Sequence, residues 1–183
     1  MAKINKLYAR EILDSRATPT VEAVVVLDDG AVGVSSVPSG ASTGTYEAHE
    51  LRDGDPNWYL GLGVQKAVVN VNQAIAGQFV GQDIKEVREL DQKLIALDGT
   101  ATKTNLGANA ILAVSVAFTK AMAVSARQPL YKYIGQIAKN SQPFFMPTPL
   151  FNMINGGKHG AGNLDFQEFW VIPNHLNSFA KAL

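Results

Sequence analysis

The apolar residues of this chain change their spacing once, near residue 64, and this change restricts the fold to a sheet combined with helices. Before that point, segments 4–13, 20–27 and 31–37 are strand-like, and the second of them is rich in valine. Turn-forming residues separate the segments, and the Asp28-Asp29-Gly30 sequence is typical of a tight hairpin. The pattern predicts a three-stranded antiparallel meander.

From residue 64 onward, apolar residues recur at helical spacing. The first stripe is followed by Asp83 and Glu86, which resemble a helix-capping pair, and by a second stripe that ends at Asp98-Gly99. Segment 107–126 is apolar on nearly every side, which predicts a buried helix, and a short helix follows at 130–134. These helices are expected to cover the meander. The first stripe consists of Val64, Ala67, Val68, Val71, Ile75 and Phe79.

Prolines mark a domain boundary in segment 135–149, because Pro143, Pro147 and Pro149 favour extended chain. We predict one domain at 1–140 and a second at 141–183. In the second, segments 150–154 and 166–172 are predicted to be buried strands, and Asn177-Ser178 are predicted to cap a helix.

Composition excludes several classes of protein. Hydrophobic residues make up 46% of the chain and charged residues 17%, which is typical of a globular fold. Sixteen basic residues balance sixteen acidic ones without a basic cluster, so a nucleic-acid partner is disfavoured. The chain has no cysteine and no signal-peptide pattern, and segment 106–126 is too polar for a membrane span. A cytoplasmic location is the default expectation.

Three groups of residues could carry chemistry. The loop 39–44 holds two glycines and three hydroxyl groups suited to a hard cation or a phosphate, although a plain flexible connection explains it as well. Segment 155–159 places His159 after paired glycines, where either a surface turn or a ligand-binding loop is expected. Gln167 and Glu168 interrupt an apolar strand, so one of them should point inward and be functional. His49 and His175 are expected to be solvated or core histidines.

Ordered motifs along the whole chain resemble those of the enolases. The motifs are REILDSR at 10–16, VPSGASTG at 37–44, ELRDGD at 50–55, LDGT at 97–100, LGANAIL at 106–112, INGG at 154–157 with His159, and QEF at 167–169. The resemblance implies an α+β N-terminal domain, consisting of a three-stranded antiparallel meander plus a helical bundle, followed by the start of an α/β TIM-like barrel.

The resemblance also implies a function. Enolases are phosphopyruvate hydratases, carbon-oxygen lyases of glycolysis and gluconeogenesis that reversibly dehydrate 2-phosphoglycerate to phosphoenolpyruvate with two Mg²⁺ ions, usually as homodimers. By resemblance, Ser39 helps to hold the second Mg²⁺, and Ala41, Ser42 and Thr43 belong to the loop that covers the substrate. The implied pocket residues are His159, Gln167 and Glu168, of which His159 and Glu168 are the catalytic candidates.

The length of the chain qualifies this expectation. A barrel needs about 250 residues, and in enolases the lysine base, the glutamate acid and the carboxylates of the first Mg²⁺ follow the part that is matched here. The 183-residue chain alone is therefore expected to be inactive, and its last segment to be loosely held. A partial gene model or an expressed piece of an enolase explains the length; the alternative is a non-catalytic binding module that pairs with enolase subunits. A cell-surface or secreted location is implied only by the resemblance to enolases, and no feature of the sequence itself indicates it.

Overall fold

The fold was analysed in a computed structural model of the chain, which describes residues 2–37, 39–40, 44–157, 160, 162, 164–174 and 178–183. The chain divides into two compact units, Met1–Asn140 and Ser141–Leu183.

A curled antiparallel sheet forms the base of the first unit. Its long strands are β1 (Ala2–Leu13), β2 (Pro19–Leu27) and β3 (Val32–Ser36), and a two-residue strand β4 (Asp83–Ile84) pairs with the start of β1, so that the order is β3-β2-β1-β4. The predicted meander is confirmed, and β4 is an addition that the sequence pattern did not indicate. Strand β2 lies between two neighbours and is almost continuously buried, which explains its run of valines.

The hairpin between β2 and β3 is formed as predicted. Gly30 has a φ of +86°, which a glycine adopts without steric cost. The Asp29 Oδ1 atom accepts a hydrogen bond from the Ala31 backbone N–H at 2.9 Å, and Leu27 N–H donates to the Ala31 carbonyl at 2.9 Å. Side-chain and backbone bonds together fix the turn.

The first helical stripe forms one continuous segment, α1 (Gln65–Asn70), a π-helical turn (Val71–Ile75) and α2 (Ala76–Phe79), and its predicted apolar residues are all buried. Its first turn is capped from a distance, because Asp53 accepts from Gln65 N–H and Lys66 N–H, both at 2.8 Å. Carboxylate capping also suits the positive end of the helix dipole.

The next helix, α3 (Val87–Asp98), shows that the predicted capping pair was wrong. Asp83 lies in β4, and the cap residue Glu86 makes no side-chain capping bond. Instead, Glu89 in the first turn accepts from Lys85 N–H at 2.8 Å, so the helix begins three residues later than the stripe suggests. Its end is as predicted, since Gly99 adopts a left-handed φ of +72°.

The buried helix α4 (Ala108–Ser125) packs mainly against β2 and β3, and α5 (Leu130–Ile137) follows it. Among the described residues, α4 is the one helix long and apolar enough to cross a membrane by length and composition. It is instead part of the core of the first unit, with eight residues buried, so the predicted buried helix is confirmed. The helix lies close to β3 at Gly33, where an added Cβ would lie 1.9 Å from the Ala117 carbonyl oxygen and 2.5 Å from the Ala121 nitrogen.

A buried carboxylate organises the connection between α3 and α4. Asp98 is 2% exposed and accepts hydrogen bonds from the backbone N–H groups of Thr100 (3.0 Å), Asn105 (3.1 Å) and Leu106 (2.7 Å), and from the Thr100 hydroxyl. Burial raises the pKa of Asp98, but these hydrogen bonds outweigh it and hold the pKa below its usual value. The charged form of Asp98 therefore belongs to the folded state.

The second unit contains a strand pair, β5 (Phe151–Asn155) with β6 (Glu168–Val171), and a short helix α6 (Phe179–Ala182). The predicted strands are present, and Ser178 caps α6 as predicted, since its hydroxyl accepts from Lys181 N–H at 3.4 Å. The expectation that both strands are buried was wrong for this chain. Every residue of β6 is exposed, because the described part of this unit offers no layer that covers both faces of the pair.

We predict that Gly33→Ala destabilises the first unit by about 2–3 kcal/mol, because the new methyl group would push the α4 backbone away from β3. Urea unfolding followed by far-ultraviolet circular dichroism measures the change. Gly77→Ala is the matched control, since a Cβ at Gly77 in α2 meets nothing within 4 Å. The control should be neutral or stabilising by up to about 1 kcal/mol; equal losses in both variants would contradict the packing argument.

We predict that Asp98→Asn lowers stability at pH 7 and weakens its dependence on acid. A carboxyl group whose pKa is lower in the folded than in the unfolded chain stabilises the fold above its unfolded pKa of about 4 and loses this contribution as the pH falls through the folded value. Thermal unfolding midpoints between pH 2 and pH 7 test this. The curves of the parent and the variant should converge at low pH, and parallel curves would argue against the assignment.

Candidate functional site

The candidate site in the first unit is the base of the serine- and glycine-rich loop that leaves β3. Val37 continues the sheet, donating from its N–H to the Val21 carbonyl at 3.0 Å and accepting from the Thr20 hydroxyl. Ser39 follows and is partly buried. Its hydroxyl donates to Glu50 Oε2 at 2.9 Å, and its carbonyl accepts from Arg16 Nη2 at 2.5 Å. The loop therefore begins at a fixed point.

The chain returns from this loop through Glu50 and Arg52. The Arg52 guanidinium donates from Nη2 to Glu50 Oε1 at 2.7 Å and from Nη1 to the carbonyls of Pro19 and Leu62, both at 2.5 Å. A planar guanidinium can serve several acceptors at once in this way. Arg52 thus joins the start of β2, the return of the loop and the segment before α1.

The start of α4 anchors the same return segment. Asn109, which is 3% exposed, accepts from Leu51 N–H at 3.1 Å and donates from Nδ2 to the Leu51 carbonyl at 3.0 Å. Ala108 N–H donates to the His49 carbonyl at 2.8 Å. Gly107 makes this approach feasible, because its φ is +93° and a Cβ would lie 2.6 Å from Leu51 Cβ.

A cleft of about 860 Å³ opens between these segments. It combines hydroxyl, carboxylate and guanidinium groups with a few apolar contacts. His49 is exposed at its edge, which agrees with the solvated alternative for this histidine. The polar side chains that line the cleft are Ser39, Thr45, Glu47, His49, Glu50, Arg52, Thr102, Thr104 and Asn109.

Asp14 is the charged partner of Arg16 in the turn between β1 and β2. Hydrogen bonds from the Thr18 N–H at 2.9 Å and the Arg16 N–H at 2.8 Å, together with the Arg16 charge, keep the pKa of Asp14 below its usual value although burial opposes them. Asp14 remains ionised near neutrality and orients the arginine that contacts Ser39.

In the second unit, Gln167 and Glu168 lie at the start of β6. The Gln167 carbonyl accepts from Gly156 N–H at 2.9 Å, and Glu168 Oε2 accepts from Trp170 Nε1 at 2.6 Å. Both residues are exposed, so the expectation that one of them points inward was wrong for this chain. The reason is that both faces of the strand pair are open in the described residues.

Of the paired glycines before His159, Gly156 is needed for packing within the second unit. A Cβ at Gly156 would lie 2.1 Å from the Phe166 carbonyl oxygen, so the close backbone approach at Gly156 is made to the neighbouring segment. Gly157 has a φ of +59° and more room. His159, Ala41, Ser42, Thr43 and His175 lie outside the described residues.

The oxygens at the loop base suit a hard cation only in part. The described residues contain no group of three histidine, aspartate or glutamate side chains placed to hold a metal. The Ser39 carbonyl accepts from Arg16, whereas the Ser39 hydroxyl has acceptors in Glu50 Oε2 and, at 3.3 Å, in the Gly40 carbonyl, and no described residue donates to it. Ser39 and Glu50 could therefore supply part of a coordination sphere for Mg²⁺, and further ligands must come from other residues.

Sequence reasoning assigned no role to Arg16, Glu50, Arg52 or Asn109, although they lie within or beside the motifs. Arg52 contacts residues 33 positions before it and 10 after it, and Asn109 contacts a residue 58 positions away. Spacing along the chain carries no signal for such contacts.

The fold and this loop define an α+β domain, a curled sheet covered by helices, followed by a separate unit that begins with strands. The family model described as "Enolase, N-terminal domain" matches residues 4–134, and the one described as "Enolase, C-terminal TIM barrel domain" matches residues 143–183. The chain belongs to the enolase family. Over all 183 residues it is 57% identical to the enolase of Anaplasma phagocytophilum (strain HZ), and it spans 42% of the length of that protein. The resemblance and the fold class expected from the sequence are confirmed.

We predict that Asn109→Asp detaches the return segment of the loop. A buried aspartate cannot donate to the Leu51 carbonyl and brings an unpaired charge, which should cost about 2–3 kcal/mol of unfolding free energy. Chemical denaturation measures the loss, and amide exchange at Leu51 reports it locally. Gln92→Glu on the exposed surface of α3 makes the same amide-to-acid change and should cost little. A similar loss in this control would contradict a specific role for Asn109.

Proposed function

We propose that these 183 residues serve an enolase that reversibly dehydrates 2-phosphoglycerate to phosphoenolpyruvate. The observation that carries the proposal is the 57% identity to a curated enolase along the entire chain, with family matches on both sides of the boundary near residue 140. We further propose that units 1–140 and 141–183 correspond to the N-terminal domain and to the first strands of the barrel domain.

The reaction removes a proton from one carbon and the hydroxyl group from the next, and both substrate and product carry a phosphate and a carboxylate. We assign His159 and Glu168 to proton handling and substrate contact, with Gln167 as a further substrate-binding residue. Ala41, Ser42 and Thr43 are assigned to binding the substrate from the loop. A group with a pKa near the working pH, such as a histidine, transfers protons most effectively.

Magnesium is the proposed cofactor, and when bound it offsets the charge that develops next to the substrate carboxylate. Ser39 is the proposed ligand in this chain. None of the described residues donates a hydrogen bond to its hydroxyl oxygen, which supports the assignment, and the sequence offers hydroxyl groups of the same type at Ser42 and Thr43.

A cytoplasmic homodimer is the proposed state of the complete protein. The outer face of the sheet supports a protein partner, because Tyr8 on β1 and Val32 and Val34 on β3 are 40–46% exposed there, and Tyr8 and Val34 both lie opposite Val24 of the strand between them. The competing function, a non-catalytic module that pairs with enolase subunits, would use the same exposed face.

The test is a chimera in which these 183 residues are joined to the rest of the Anaplasma phagocytophilum enolase. We expect phosphoenolpyruvate to form from 2-phosphoglycerate in the presence of Mg²⁺, measured by ultraviolet absorbance, and no activity from the 183-residue polypeptide alone. A folded chimera without activity would contradict the enolase assignment. Binding of the 183-residue polypeptide to intact enolase, together with an inactive chimera, would favour the binding module.

Variants of the chimera test the individual residues. We expect Glu168→Gln and His159→Asn to lower kcat by about 10²–10⁴-fold, as is usual for the loss of a proton-transfer group. Lys93→Gln, which removes a surface ion pair with Glu89 on α3, is the control and should retain full activity. Comparing Ser39→Ala with Ser42→Ala identifies the metal ligand, because the correct variant should require a higher Mg²⁺ concentration for half-maximal activity. An unchanged requirement in Ser39→Ala would remove Ser39 from the metal site.

A further inference from the structure

Four side chains close the neck of the loop between residues 39 and 50. Arg16 comes from the turn between β1 and β2, Ser39 from the exit of β3, and Glu50 and Arg52 from the return of the chain. We call these four residues the neck clamp. The resemblance to enolases assigned no role to three of them, and gave Ser39 a role only toward the metal.

Within the neck clamp, Glu50 bonds to residues on both sides of the loop neck. Its Oε2 atom accepts from the Ser39 hydroxyl at 2.9 Å, and its Oε1 atom accepts from Arg52 Nη2 at 2.7 Å. The side chains of Arg52 and Glu50 are 17% and 31% exposed, so water screens this pair less than it would a fully exposed one. Glu50 is thus held at one oxygen and holds Ser39 with the other.

Arg52 orients the Glu50 carboxylate, and hydrogen bonds to backbone carbonyls hold Arg52 in place. Its Nη1 atom donates to the carbonyls of Pro19 and Leu62, which belong to segments on either side of it in the sequence. Arg16 completes the arrangement by binding the Ser39 carbonyl, and its own position is set by Asp14 at 3.5 Å. The two arginines and the two carboxylates balance in charge.

We propose that Glu50 is a positioning residue, oriented by Arg52, that fixes Ser39 relative to the point where the chain returns. This inference rests on the proposed function in one respect, namely that the loop serves an active site. Fixing both ends of a loop restricts the conformations of the residues between them. In catalysis such restriction is valuable because displacement of a reacting or binding group by about 1 Å can cost 10²-fold in rate.

The first test is amide hydrogen exchange on the 183-residue chain and its variants. We expect Glu50→Ala and Ser39→Ala each to raise the exchange rates of the hydrogen-bonded amides of Glu47 and His49 by about fivefold, the effect of losing roughly one net hydrogen bond. The double variant should exchange no faster than Glu50→Ala alone, because both changes break the same contact. Glu50→Gln should restore part of the protection, since its amide oxygen still accepts from Ser39.

Matched controls come from a second serine-carboxylate pair. The Ser115 hydroxyl donates to Asp91 Oδ1 at 2.6 Å between α3 and α4, so Ser115→Ala and Asp91→Ala remove the same groups away from the loop. They should leave the exchange of the Glu47 and His49 amides unchanged. The positioning role would be overturned if the increases in exchange rate from Ser39→Ala and Glu50→Ala multiplied in the double variant. An equal increase in exchange along β1 and β2 would also overturn it.

The second test uses the chimera with the rest of the Anaplasma phagocytophilum enolase. Glu50→Ala should lower kcat/KM by about tenfold or more while the thermal midpoint stays within the range of the Asp91→Ala control, and Glu50→Gln should recover part of the activity. Full activity in Glu50→Ala would overturn the proposal. An inactive parent chimera would refute the proposed function instead, and the exchange experiment would still decide whether Glu50 positions Ser39.

Discussion

The first unit depends on the close contact between α4 and β3 at Gly33. Because a glycine at this position leaves no Cβ between the backbones, the helix lies directly on the sheet and buries its alanine-rich face there. The same helix carries Asn109 at its start, and Asn109 holds the backbone of Leu51. The position of the loop base is therefore a consequence of how closely a helix packs on a sheet more than two turns away.

Side chains that are distant in sequence form hydrogen bonds with several backbone groups in this unit. Glu11 accepts from Val64 N–H at 2.7 Å and from Trp58 Nε1 at 3.0 Å, and Asn72 bonds both the N–H and the carbonyl of Ala9. Asp98 performs a similar task over a shorter span. Buried backbone groups without partners are costly, so these polar residues stabilise the connections between the layers.

The candidate site residues are divided between two units with different degrees of burial. Ser39 lies in a network of partly buried ion pairs in the first unit. Gln167 and Glu168 lie on an open strand pair with exposed apolar neighbours, including Phe166 and Trp170. The chain spans 42% of the length of its enolase relative, and the proposed chemistry assigns residues from both units.

The sequence by itself determined the meander, the hairpin at Gly30, the order of the helices and the family, because alternation, helical spacing, turn residues and motifs are local signals. Only the tertiary structure decided that Asp83 pairs with β1 and that Glu89 accepts the hydrogen bond at the start of α3. It also decided that Arg52 and Asn109 hold the loop base. Each of these depends on a partner brought close by folding. A hydrogen bond between residues tens of positions apart leaves no periodic trace in the sequence, and the exposure of Glu168 depends on which layers surround its strand.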